Sequence, residues 1–169
     1  MSSPKESNTL LNQLLLAQMY RTEAYRKAAE AVADPELRRF FAQNVRSGEG
    51  MMDEITRRID PRHITETDDT ALPNAYQRWW NSLPETVVGA SRNHIVEHFL
   101  TGEKLAVHLY NHTLAAESAA PVRDMLLRQR ETLVQSGDQA RHLRRSRLLP
   151  FYQRMAQLGR MFKSLVVSG

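Results

Sequence analysis

The chain has 169 residues, of which 41% are hydrophobic and 25% charged, so it has the size and balance of one ordinary globular domain. It contains no cysteine, which rules out disulfides and thiolate chemistry and fits a cytoplasmic protein. Apolar runs such as Leu14 to Ala17 are far shorter than the roughly 20 residues of a membrane span, and the opening MSSPKESN lacks the apolar core of a secretory signal. The net charge is +4, but seven cationic side chains and no acidic one follow Asp138, which leaves −3 for the rest of the chain. A basic end on an acidic body points to anionic partners, or to the protein's own body.

In chain order, the spacing predicts a first helix from about Asn8 to Ala33, with Leu11, Leu14, Gln18, Thr22, Tyr25, Ala29 and Val32 on its inward face. Asp34 is a natural N-cap and Pro35 a natural first residue for a second helix running to about Ile59. Its inward face carries Leu37, Phe41, Val45, Gly48, Met52, Ile55 and Ile59. A long connection follows, from Asp60 to about Glu85, with AYQRWWNSL as a short turn of helix whose Trp79 and Trp80 cap one end of the core. A third helix is predicted over Glu85 to Glu117 and a fourth over Pro121 to Leu149. Pro150 ends the fourth, and a fifth, amphipathic helix spans Phe151 to Val167.

Short, long, short connections make two antiparallel hairpins, so the expected fold is an all-α four-helix bundle with a long crossover between its second and third helices. Residues 1–149 form the bundle and 150–169 a basic amphipathic extension, docked on it or bridging subunits. A weak internal repeat agrees: shifted by 85 positions, Tyr25, Arg38, Phe40 and Phe41 fall on Tyr110, Arg123, Met125 and Leu126. The stretches AYRKAAEAVADPELRRFFAQ, TGEKLAVHLYNHTLA and APVRDMLLRQRETLVQSGDQARHLR resemble an uncharacterised bacterial family of ferritin-like bundles, over about Leu10 to Arg147. The resemblance implies the ferritin-like fold and a distant kinship with di-iron proteins, but no activity. It also implies a Glu near position 22 and a His near 138, where this chain has Thr22 and Asp138.

Di-iron bundles place Glu-x-x-His on two helices, because residues three apart share a face and a metal. None of the six histidines here has a Glu three residues before it, so no ordinary di-iron centre is expected. Glu103 projects from the apolar face of Ile95, Phe99, Ala106 and Tyr110 and is the one inward carboxylate; with Asp138 it is the only candidate metal ligand. The inward polar set is Gln18, Thr22, Asn44, Glu103 and Arg130. Since an unpaired buried carboxylate is costly, Glu103 is expected to find a partner such as Arg130 or Asn44.

His94, His98, His108 and His112 fall on the side of the third helix opposite Glu103. They form either a solvated polar face or an association face whose charge changes near pH 6.5. The string HIVEH matches the His-x-x-Glu-His pattern of inverted zinc peptidases, but no third ligand accompanies it. No phosphate loop or nucleophile elbow occurs.

The function expected is therefore a non-catalytic interaction or scaffold protein with no cofactor, a lost di-metal site, and a second copy or another protein as partner. One alternative is a metal-binding oxidase or carrier that uses Glu103. Another is binding of anionic membrane or nucleic acid through Arg141, Arg144, Arg145, Arg147 and the basic end.

Overall fold

The computed structural model describes residues 4–63, 74–117 and 119–146, and these contain α-helix, one 3-10 turn and no strand. The helices are α1 (Pro4–Ala31), α2 (Pro35–Thr56), α3 (Asn74–Thr86), α4 (Arg92–Ala116) and α5 (Ala120–Ser146). The segment after Pro150 expected as an amphipathic helix lies outside the described residues.

Helices α1 and α2 pack closely along their length, as do α4 and α5, while α1 also meets α4 and α2 meets α5. The turn between α1 and α2 follows from local chemistry. The Asp34 side chain accepts hydrogen bonds from the backbone N–H of Glu36 (3.0 Å) and Leu37 (3.4 Å), and Pro35 opens α2 with its φ already helical. Arg92, the first residue of α4, ties three elements together at this end. Its Nε donates to Asp34 Oδ2 at 2.8 Å and its Nη1 to the Leu143 carbonyl of α5 at 2.9 Å. At the other end Arg123 Nη1 donates to the carbonyls of Leu114 (2.6 Å) and Glu117 (2.8 Å), closing α4 where helical carbonyls run out of partners.

Three expectations about the middle of the chain need correction. The stretch around the tryptophans is a 13-residue helix, α3, that runs through Pro84 and packs on both α1 and α4. Helix α4 starts at Arg92 rather than near Glu85, because Gly89 takes a left-handed φ of 70° and Ser91 caps the new helix by accepting from the His94 N–H. Trp80 does not close an end of the core. It is fully buried against the Tyr25 ring, with centroids 5.2 Å apart and edge to face, beside Gly102 in the middle of α4.

The glycines differ in what they permit. A Cβ on Gly102 would stand 2.8 Å from the Trp80 ring, and one on Gly48 would stand 2.1 Å from Thr22 Oγ1. A Cβ on Gly50 would meet nothing, and α2 is continuous through the SGEG stretch. In thermal and urea unfolding, Gly50→Ala is expected to raise stability by up to about 1 kcal/mol through helix propensity. Gly102→Ala is expected to lower it by about 1–2 kcal/mol, overpacking outweighing the same propensity gain. A stabilised Gly102→Ala protein would show that α3 does not press on α4 at that point.

Candidate functional site

Glu103 lies halfway along α4 with 3% of its surface exposed. Its partner comes from α1 and is neither of the two expected. Arg21, 1% exposed, donates from Nε to Glu103 Oε1 at 2.6 Å and from Nη2 to Oε2 at 3.1 Å, a two-point pair in which the planar guanidinium matches the carboxylate. The Tyr25 hydroxyl, one turn along α1, also donates to Oε1. The guanidinium carbon lies 4.7 Å from the centre of the Tyr25 ring, which adds a cation–π contact.

The remaining Arg21 donors turn toward α1 and α2. Nη1 reaches Gln18 Oε1 at 3.4 Å and Nη2 reaches Asn44 Oδ1 at 3.3 Å. Asn44 is held in turn by Ser136 of α5, whose hydroxyl donates to Oδ1 at 2.6 Å, and it donates to the Phe40 carbonyl at 3.0 Å. A second branch runs from Gln18 Nε2 to the Tyr110 hydroxyl (2.9 Å), and from that hydroxyl to Gln129 Oε1 of α5 (2.6 Å). Gln129 Nε2 then donates to Glu54 Oε2 of α2 at 2.9 Å, near the surface. One polar layer thus links α1, α2, α4 and α5 through the core.

The electrostatics follow from burial. Desolvation works against the charge on Arg21, yet the adjacent Glu103 outweighs it and holds the guanidinium protonated well above its ordinary range. Burial pushes the Tyr25, Tyr76 and Tyr110 phenols well above 10, Arg21 opposing that shift only in part. Both Glu103 oxygens are occupied, and no group of three or more His, Cys, Asp or Glu among the described residues is arranged to hold a metal. The donor set around Glu103 is a guanidinium, a phenol and two amides, which does not fit a di-iron centre.

The other expected site residues are scattered. Gln18, Thr22 and Asn44 are buried, but Thr22 is turned away from the layer, with Oγ1 packed at Gly48 and lacking a hydrogen-bond partner among the described residues. Arg130 is only half-buried and donates to Asn111 Oδ1 at 3.1 Å, away from Glu103. Asp138 is exposed and paired with Arg141, and so does not approach Glu103 as a co-ligand. Arg144 pairs with Glu97 on the surface; the side chain of Arg145, and Arg147 altogether, lie outside the described residues.

The histidine stripe is interrupted. His94, His108 and His112 are exposed, but His98 is half-buried with its ring stacked on Trp79, centroids 4.2 Å apart and planes 12° from parallel. Helix α3 covers that part of α4, which the spacing of the histidines alone does not reveal. Burial lowers the His98 pKa from its ordinary value.

Residues 6–116 match a family model described as a domain of unknown function (DUF2383). The chain belongs to this family. The match covers α1 to α4 and stops short of the expected end near Arg147, so Gln129 and Ser136 are supplied from beyond it. No curated protein matches the chain.

Arg21 was the residue that sequence reasoning missed, together with Gln129 and Ser136. The signal was present: Leu14, Gln18, Arg21, Tyr25, Ala28 and Val32 follow the three-four spacing of a buried seam, and all are buried.

Removing one member of the pair strands a buried charge. Arg21→Met is expected to cost about 3–5 kcal/mol in urea unfolding, and adding Glu103→Leu to recover most of that loss. Recovery below about 1 kcal/mol would mean that the two charges do not act as a pair.

The tyrosines give a pH test. A phenol with a raised folded-state pKa binds more protons folded than unfolded above pH 10, so its contribution is intact below about pH 10 and is lost as pH rises further. Unfolding should therefore set in above about pH 10, and absorbance at 295 nm should show the three buried tyrosines ionising together with loss of helical signal. Full tyrosine titration before unfolding would contradict the sealed layer.

Proposed function

We propose that this chain is a ferritin-like four-helix bundle that works as a non-catalytic interaction protein. Helices α1, α2, α4 and α5 are the bundle, and the long link carrying α3 is its crossover. The reading is supported by the two hairpins, the α1–α4 and α2–α5 contacts, and the short–long–short connections. One observation carries it. The only inward carboxylate of α4 is fully occupied by Arg21 and Tyr25, so a fixed organic cation stands where a di-metal bundle would need an open metal position.

Glu103 borders the groove between α4 and α5, but both its oxygens are taken by Arg21 and Tyr25, so it offers no free ligand position and no free base. What remains for function is the outer surface, including exposed His94, His108 and His112 and the basic residues Arg141 and Arg144 on α5. The partner is a second copy of the chain or another protein.

The test is metal analysis of untagged protein purified without chelators from iron- and manganese-supplemented cells, with Glu103→Ala alongside. Metal far below one equivalent in both proteins is the expected outcome. One or more equivalents in the parent, lost in the variant, would overturn the proposal and restore the oxidase or carrier reading.

A further inference from the structure

Gly137, buried in the interior of α5, has no steric reason to be glycine. A Cβ there would meet only Leu100 Cδ2, at 3.7 Å, an ordinary contact, whereas Gly48 and Gly102 each have a side chain pressed against them. Glycine weakens a helix interior, and at 137 no close approach compensates. What the missing side chain leaves is open space. Gly137 and Leu100 line a groove of about 310 Å³ between α4 and α5, floored by Val107 and Leu133, with Val134 on its edge 41% exposed.

The charge in this groove is unbalanced. Glu103 at its base is matched by Arg21, and Arg141 on its rim is matched by Asp138. Lys104 on the α4 rim has no ion-pair or hydrogen-bond partner among the described residues. The α4 residues three and four places from it are Leu100, Thr101, Val107 and His108, none of them acidic. Arg130 closes one end of the groove. Its Nη1 donates to Asn111 Oδ1 at 3.1 Å, while its buried Nε has no partner and no carboxylate pairs with it among the described residues. Two cations without counter-charges therefore flank His108.

Two other grooves carry matched charges. Beside Leu16, Met19 and Met52, Arg26 is shared by Glu23 and Glu49, and Lys27 also meets Glu23. At the α1–α2 turn, where Arg92 holds the end of α5, Arg92 meets Asp34 and Glu36, and Arg38 donates to the Val32 carbonyl.

We propose that the α4–α5 groove binds a linear monocarboxylate. Its head group lies beside His108, between Lys104 and Arg130, and its hydrocarbon chain runs over Val107, Leu133 and Gly137 to Leu100. From His108 to Leu100 is about 12 Å at the helical rise, the reach of a medium-length chain. The notch at Gly137 is the width of one missing methyl group, which admits a hydrocarbon chain but not a helix about 10 Å across. Burial of the chain supplies affinity, and the unmatched cations select an anionic head over a neutral or cationic one.

The test is calorimetric titration of the full-length protein with hexanoate, octanoate and decanoate below their micelle concentrations, with octan-1-ol and octylammonium as controls. One saturable site is expected, with affinity rising about fourfold per added methylene and octanoate preferred over both controls. Gly137→Ala should raise the melting temperature yet weaken decanoate binding by about threefold or more, opposite movements that a folding defect does not produce. Gly137→Leu, which fills the notch, should weaken it by about tenfold or more. Lys104→Gln should weaken octanoate by about two- to fivefold and leave octan-1-ol unchanged.

No saturable binding, equal affinity for octanoate and octylammonium, or affinities untouched by Gly137→Ala and Lys104→Gln would overturn the proposal. So would a change of oligomeric state on Gly137→Ala in ligand-free protein, which would make the occupant of the groove a second copy. The outcome does not depend on metal content, so this inference and the proposed function fail separately.

Discussion

A carboxylate and a guanidinium taken fully out of water dominate the interior of this protein. Moving each ion into a medium of low dielectric costs several kcal/mol, and their attraction offsets that only when geometry is close to ideal and further hydrogen bonds satisfy the remaining donors. Arg21 meets Glu103 at two points, and two more of its N–H groups go to Gln18 and Asn44, so four of its five donors have partners. The surrounding polar side chains are ordered to satisfy one another, so none of Tyr25, Asn44, Ser136 or Gln129 can be replaced without unsettling a neighbour.

The layer is not by itself a source of net stability, since a hydrophobic set of the same volume would hold the helices together about as well. What it adds is directional: its bonds join α1 to α4, α1 to α2, and both α2 and α4 to α5 in one register. The close approaches depend on the same register. Gly48 must face Thr22, and Gly102 must face Trp80, because a Cβ at either position would collide. Helix α5, beyond the matched family region, supplies Ser136 and Gln129, so the layer is completed by a helix that the family match does not reach.

This architecture also separates the interior from the surface in chemical character. The centre is closed by an internal cation, whereas the outside carries exposed histidines, a basic-rimmed groove between α4 and α5, and an apolar groove where α5 ends. The cross-linked polar layer makes a rigid frame beneath these helix faces.

The sequence by itself determined whatever depends on neighbours three or four residues away. The buried seams of the helices, the Asp34 cap with Pro35 behind it, and the lack of any Glu-x-x-His pair are all local facts, and local periodicity records burial. The inward position of Glu103 was legible for the same reason, as was its need for a partner. The partner's identity was not, because Arg21, Arg130 and Asn44 lie on different helices and the choice turns on how α1 and α4 are rotated against each other. Only the tertiary structure decided that Arg21 faces Glu103, that α3 lies across α1 and α4, and that Trp79 covers His98 within what reads as an open stripe. Contacts between residues some 80 positions apart depend on the packing angles and rotations of whole helices, and helical periodicity carries no record of those.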